Sequence, residues 1–141
     1  MRLLKTILTA LIMLPMICAC NAQSSEKKVQ GQDNQVSNIE VYYFHFTRRC
    51  ATCNAVEEKT VEFLKELYPE KMEGKEIVFQ SLNLDEADAK EVAEKLGVSG
   101  QALIFLKEGQ KVDLTSEGFM NTRNNPEKFK EKVKETVENL I

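Results

Sequence analysis

The chain has 141 residues, with 19 Lys and Arg against 22 Asp and Glu, for a formal charge of −3. That is room for one ordinary domain, and the mild acidity argues against nucleic acid as the main partner, because phosphate binding needs a basic face. Hydrophobic residues make up 43% and charged residues 29%, as in a globular domain, and a single histidine, His45, excludes a multi-histidine metal site within one chain.

Residues 1–19 read as an address. Arg2 and Lys5 precede an apolar run from about Ile7 to Ile17, which is shorter than the roughly 20 apolar residues a bilayer-spanning helix needs. The run ends in Ile17-Cys18-Ala19-Cys20. This resembles the lipobox of bacterial lipoproteins, which implies cleavage after Ala19 and lipidation of Cys20. An ordinary signal peptide, cut elsewhere and leaving Cys20 a free thiol, is the alternative. Lipidation would remove a thiol that is a liability in an oxidising compartment. The expected location is the periplasmic face of a bacterial membrane, the outer membrane. Residues 20–38 follow as lipidated cysteine and tether, rich in Gln, Ser, Asn and charge. A coil of this length reaches roughly 20–25 Å.

A domain is expected over 39–141. Ile39 to Phe46 is β-branched and aromatic without Gly or Pro, which predicts a central strand. From Cys50 the period changes. Cys53, Val56, Thr60, Phe63, Leu64 and Leu67 recur at three and four, the face of a helix that Pro69 stops. Ile77 to Leu84 is a second strand, and Asp85 is expected to cap the next helix, with Ala89, Val92, Ala93 and Leu96 as its apolar face and Gly97 as its end. Ala102 to Leu106 is a short buried strand, turning at Glu108-Gly109 into a fourth over 111–115. Residues 120–123 read as a loop without an assigned role. Asn125 caps a last helix, Pro126 takes its first position, and Phe129, Val133, Val137 and Leu140 form its stripe. The order β-α-β-α-β-β-α gives an α/β fold, a four-stranded mixed sheet flanked by helices.

Chemistry is carried by Cys50-Ala51-Thr52-Cys53 at the strand-to-helix junction. The spacing puts both sulfurs on one side of the first turn, close enough for a disulfide. The first thiol meets unsatisfied backbone N–H groups and the positive end of the helix dipole, which favours thiolate. Arg48 and Arg49 add positive field. Cys50 is thus the expected nucleophile and Cys53, one turn inside, the resolving thiol. Three readings are open to such a pair: a redox dithiol, a metal or metalloid thiolate site, and an inert staple. A four-ligand zinc site cannot be completed within the chain. A loop this small constrains the unfolded chain little, which disfavours the staple. His45 reads as a strand residue rather than a base.

With these residues in hand, the domain resembles the thioredoxin family. The strand running into CxxC, the segment Leu82-Asn83-Leu84-Asp85, and the stretch Gly97 to Ile104 with its hairpin at Lys107-Glu108-Gly109 carry the likeness. The resemblance implies a thioredoxin-like fold with a redox-active Cys50–Cys53 disulfide and no separate cofactor. It also brings a loop to face that disulfide, where the family's cis-proline falls on Gln101 or Ala102. The family's Trp before the first cysteine is Arg49, its Pro between the cysteines is Thr52, and its buried acid falls on Phe44. More narrowly, Thr47 to Cys53 behind a lipoprotein signal looks like the thioredoxin-like proteins of Bacteroidetes labelled nitroreductase subunit ArsF, which implies electron donation to a flavoprotein.

The function expected is a membrane-anchored, extracytoplasmic thiol:disulfide oxidoreductase. Its partners would be extracytoplasmic proteins with disulfides or a membrane electron donor. The rivals are a lipoprotein binding Cu(I) or arsenite through two thiolates, and an interaction module that keeps only the fold.

Overall fold

A computed structural model of the chain describes residues 37–141. The leader over 1–19, Cys20 and the tether up to residue 36 lie outside the described residues.

The apolar run after Asn38 forms β1 (Ile39–His45), which leads into α1 (Ala51–Leu67) and a short α2 (Pro69–Glu73). Then come β2 (Ile77–Asn83), α3 (Ala87–Lys95), β3 (Ala102–Lys107), β4 (Gln110–Asp113), α4 (Thr115–Asn121) and α5 (Pro126–Leu140). The sheet order is β2-β1-β3-β4. β1 pairs in parallel with β2, from Ile39 opposite Ile77 to His45 opposite Asn83, and antiparallel with β3, while β3 and β4 form an antiparallel hairpin. Glu108 and Gly109 both take positive φ at its tip, the conformation a two-residue turn requires. The mixed four-stranded sheet and the central place of β1 are as expected.

β1 is apolar on both sides because both are covered. Val41 and Tyr43 join Val56, Phe63 and Leu64 of α1 and Phe129, Val133 and Val137 of α5 in the larger core. Tyr42 and Phe44 point the other way, into a smaller core with Ala93 of α3, Leu84, Ala102 and Ile104. The alternation follows from the two-residue period of a strand. Phe63 and Phe129 meet edge to face at 5.8 Å, tying α1 to α5.

Three elements differ from expectation. Pro69 stops α1 and also starts α2, taking the first helical position, where its missing N–H costs nothing. Asp85 does not cap α3; Glu86 stands at the N-cap without a side-chain bond, and the Asp85 carboxylate instead accepts the backbone N–H of Thr47 at 2.8 Å. Residues 120–123 do not form a simple loop. Met120 and Asn121 end α4, which seats on α1: Gly118 is buried, and a methyl group there would crowd Val56 and touch the Phe129 ring. Thr122 donates to the carbonyl of Ala55 at 3.2 Å. The end of α3 is as read, with Gly97 at φ +65° and N–H bonds from Gly97 to Glu94 and from Val98 to Ala93 closing the helix.

Candidate active site

The loop between β1 and α1 is pinned before it reaches the first cysteine. Thr47 gives its amide to Asp85 and accepts the side-chain N–H of Asn83 at 3.0 Å, and the backbone of Leu84 donates to His45 at 2.7 Å. The amide bond, with the Thr47 hydroxyl, holds the Asp85 carboxyl below its usual range. Thus the segment at the end of β2 sets the entry angle of α1.

Cys50 is the N-cap of α1. It has extended backbone angles, and its sulfur accepts the N–H of Cys53 at 3.1 Å. The reciprocal bond runs from the Cys50 N–H to the Cys53 sulfur at 3.3 Å. The two residues form a disulfide across Cα atoms 5.1 Å apart. Cys50 is an exposed residue and Cys53 is 3% exposed, so the first cysteine is the one open to a partner. The helix-start position read from the spacing is where the structure places the pair.

Of the two positions matched to the family's proline, Gln101 reaches the disulfide. Its Nε2 lies 3.5 Å and its Oε1 3.8 Å from Cys53 Sγ. Ala102 is buried at the start of β3, opposite Phe44. Among the described residues no peptide bond is cis.

The two arginines part company. Arg48 is exposed. Arg49 turns back to form an ion pair with Glu57 and stacks its guanidinium 5.6 Å from the centre of the Tyr43 ring. Burial pushes the Glu57 carboxyl up, but hydrogen bonds from Ser81 and Arg49 and the electrostatic influence of Arg49 and His45 outweigh it and hold it below the usual range. The Arg49 charge is therefore shared with a carboxylate two turns into α1 and is not a bare field at Cys50. Burial raises the Tyr43 phenol, with Arg49 opposing, and its hydroxyl donates to the carbonyl of Cys53 at 2.8 Å. Neither Glu57 nor Tyr43 stands out in the sequence. A Glu among the charged residues of an amphipathic helix reads as a solvated face, and a Tyr in an aromatic strand reads as core.

His45 stacks on Tyr43 at 6.0 Å, with its Nδ1 2.9 Å from the Phe46 carbonyl oxygen. Among the described residues, no hydrogen bond or ring contact puts it on a sulfur. Among the described residues no group of three or more His, Cys, Asp or Glu side chains could hold a metal ion. A polar groove of about 400 Å³ runs beside Gln101, lined by Ser99, Gly100, Lys111, Asp113 and Ser116.

No family model and no curated protein matches the chain. Among solved structures it is similar to thioredoxin O2 from Arabidopsis thaliana in the oxidised state, at 23% identity and a TM-score of 0.50, over 74% of this chain and 76% of that one. It is also similar to the thioredoxin of Fasciola hepatica, at 21% identity and a TM-score of 0.48, over 74% and 83%. The germline-specific thioredoxin Deadhead of Drosophila melanogaster matches at 20% identity and a TM-score of 0.47, over the same shares. The chain has a thioredoxin-like α/β fold, with a Cys50–Cys53 disulfide at the start of its first helix.

Proposed function

We propose that the protein is a thiol:disulfide oxidoreductase that works through Cys50 and Cys53. The observation that carries this reading is a disulfide at a helix N-terminus whose first cysteine is an exposed residue and whose second is a buried one. In the reduced protein, the N-terminal amides and dipole of α1 favour the Cys50 thiolate. That thiolate attacks one sulfur of a partner disulfide, forming a Cys50–partner bond and releasing the other partner sulfur as thiolate. Cys53, after losing its proton to solvent, attacks the Cys50 sulfur. The Cys50–Cys53 bond forms, the bond to the partner breaks, and its electron pair leaves on the partner's second sulfur. The partner gains the two electrons the dithiol loses, so no further cofactor is called for.

The same reading extends to location. The leader over 1–19 and the cysteine at 20 support a lipid-anchored protein on the periplasmic face of the outer membrane, with 20–38 as tether. Its partners would then be extracytoplasmic proteins with disulfides, or a membrane electron donor. The stretch Thr47 to Cys53 supports the narrower likeness to the ArsF group, and with it a role as electron donor to a nitroreductase.

The test is insulin disulfide reduction by the full chain with dithiothreitol, beside a Cys50→Ser variant. Turnover that disappears with Cys50 supports the reading. A chain that reduces no insulin but binds one Cu(I) or arsenite per dithiol under anaerobic conditions is a thiolate binder instead.

A further inference from the structure

Once the disulfide opens, Cys53 must become a thiolate to attack. Its site is unfavourable for that, because burial disfavours the charged form of a thiol. The resolving step therefore needs something that stabilises negative charge on this sulfur. Among the described residues, no charged side chain hydrogen-bonds to it. What reaches it is one backbone amide, from Cys50 at 3.3 Å, and one side chain, the carboxamide of Gln101.

The carboxamide is half-buried, arrives from a position 48 residues away, and puts both of its ends within reach of the sulfur. Nε2 carries two N–H donors and no net charge, and Oε1 accepts. The group can therefore accept the S–H of the neutral thiol and donate to the thiolate, by a small rotation and without exchanging a proton. A carboxylate in its place would accept only and would repel the thiolate. An apolar side chain would do neither.

We infer that Gln101 is the residue that sets the reactivity of Cys53, holding its thiolate for the resolving step by a side-chain N–H. This rests on the thiol:disulfide reading above. In the step it serves, Cys53 gives its proton to solvent, the thiolate attacks the Cys50 sulfur of the mixed disulfide, and the partner sulfur leaves with the bonding pair. Gln101 is not altered. It touches Cys53 Sγ in the disulfide form, so its loss should change the second exchange and spare the first, which belongs to Cys50.

The two exchanges separate with one equivalent of 5,5′-dithiobis(2-nitrobenzoate), an aromatic disulfide. Attack by Cys50 releases one coloured thiolate, and attack by Cys53 on the resulting mixed disulfide releases the second. The protein is the reduced full chain in detergent, with Cys18→Ser and Cys20→Ser so that only the dithiol reports. Gln101→Met keeps the volume and removes the donor; Gln101→Glu keeps the shape and reverses the polarity. The expected result is an unchanged first phase and a second phase slowed about tenfold by Gln101→Met, the loss of one hydrogen bond to an anion. The pH midpoint of the second phase should move up in both variants, and further in Gln101→Glu. Second phases unchanged in rate and midpoint would overturn the inference. So would equal slowing of both phases with no change of midpoint, which would make Gln101 a packing residue. A wild type that releases only one equivalent would overturn the oxidoreductase reading itself.

Discussion

The Tyr43 hydroxyl donates a buried hydrogen bond of 2.8 Å to the carbonyl oxygen of Cys53. It joins the central strand to the helix turn that bears the inner sulfur. Tyr43→Phe removes that donor and keeps the ring, which is fully buried beneath Arg49. A loss of about 1 kcal/mol of stability follows, the ordinary worth of one buried hydrogen bond. A lower urea midpoint with an unchanged slope is the expected record. No change would mean that the Cys53 turn is held by the helix alone.

Arg49 is predicted to matter more to stability than to redox potential, because its charge is already paired with Glu57. The folded state holds the Glu57 carboxyl below its usual range, so the stability this provides is present above the ordinary glutamate pKa of 4.5 and is lost as pH falls through the lowered value. Arg49→Ala should therefore cost about 1 kcal/mol at neutral pH, with the gap to wild type closing in acid. The glutathione equilibrium should move by less than about 30 mV, equivalent to about 1.4 kcal/mol for a two-electron couple. A larger downward shift would show that Arg49 acts on the Cys50 thiolate directly.

Gly118 is predicted to be the seat of α4. A Cβ there would lie 3.2 Å from Val56 Cγ1 and 3.5 Å from the Phe129 ring. Gly118→Leu should destabilise the domain by about 2–3 kcal/mol through overpacking, seen as a lowered thermal midpoint. Full stability would mean that α4 can lift off α1 without cost.

The parts legible in the sequence are those where chemistry and period agree. The place of Cys50 and Cys53 at the start of α1 is legible because an apolar strand gives way there to a helical period. α5 was legible because Asn125, Pro126 and the stripe from Phe129 to Leu140 repeat one message, and the Asn125 side chain does accept from Lys128. α4 was hidden because Thr115–Asn121 contains a glycine and no apolar period. What keeps it in place is tertiary, the fit of Gly118 on Val56 and the Thr122 bond to Ala55. The role of Asp85 is not legible locally because the short-range role of N-cap and the long-range role of holding Thr47 call for the same carboxylate. The resemblance leaves Gln101 and Ala102 both open, and the contact of Gln101 with Cys53 comes from folding a loop onto a helix 48 residues away, which no local pattern encodes.

The central claim is that Cys50 attacks and Cys53 resolves, and trapping measures it most directly. In a full chain with Cys18→Ser and Cys20→Ser, the added variant Cys53→Ser is incubated with a disulfide-bonded peptide, as is the added variant Cys50→Ser. The account predicts that Cys53→Ser accumulates a stable mixed disulfide through Cys50, because nothing remains to release the partner, while Cys50→Ser traps nothing, because Cys53 is a buried residue. Trapping through Cys53 in preference to Cys50, or no trapping by either variant, would contradict it.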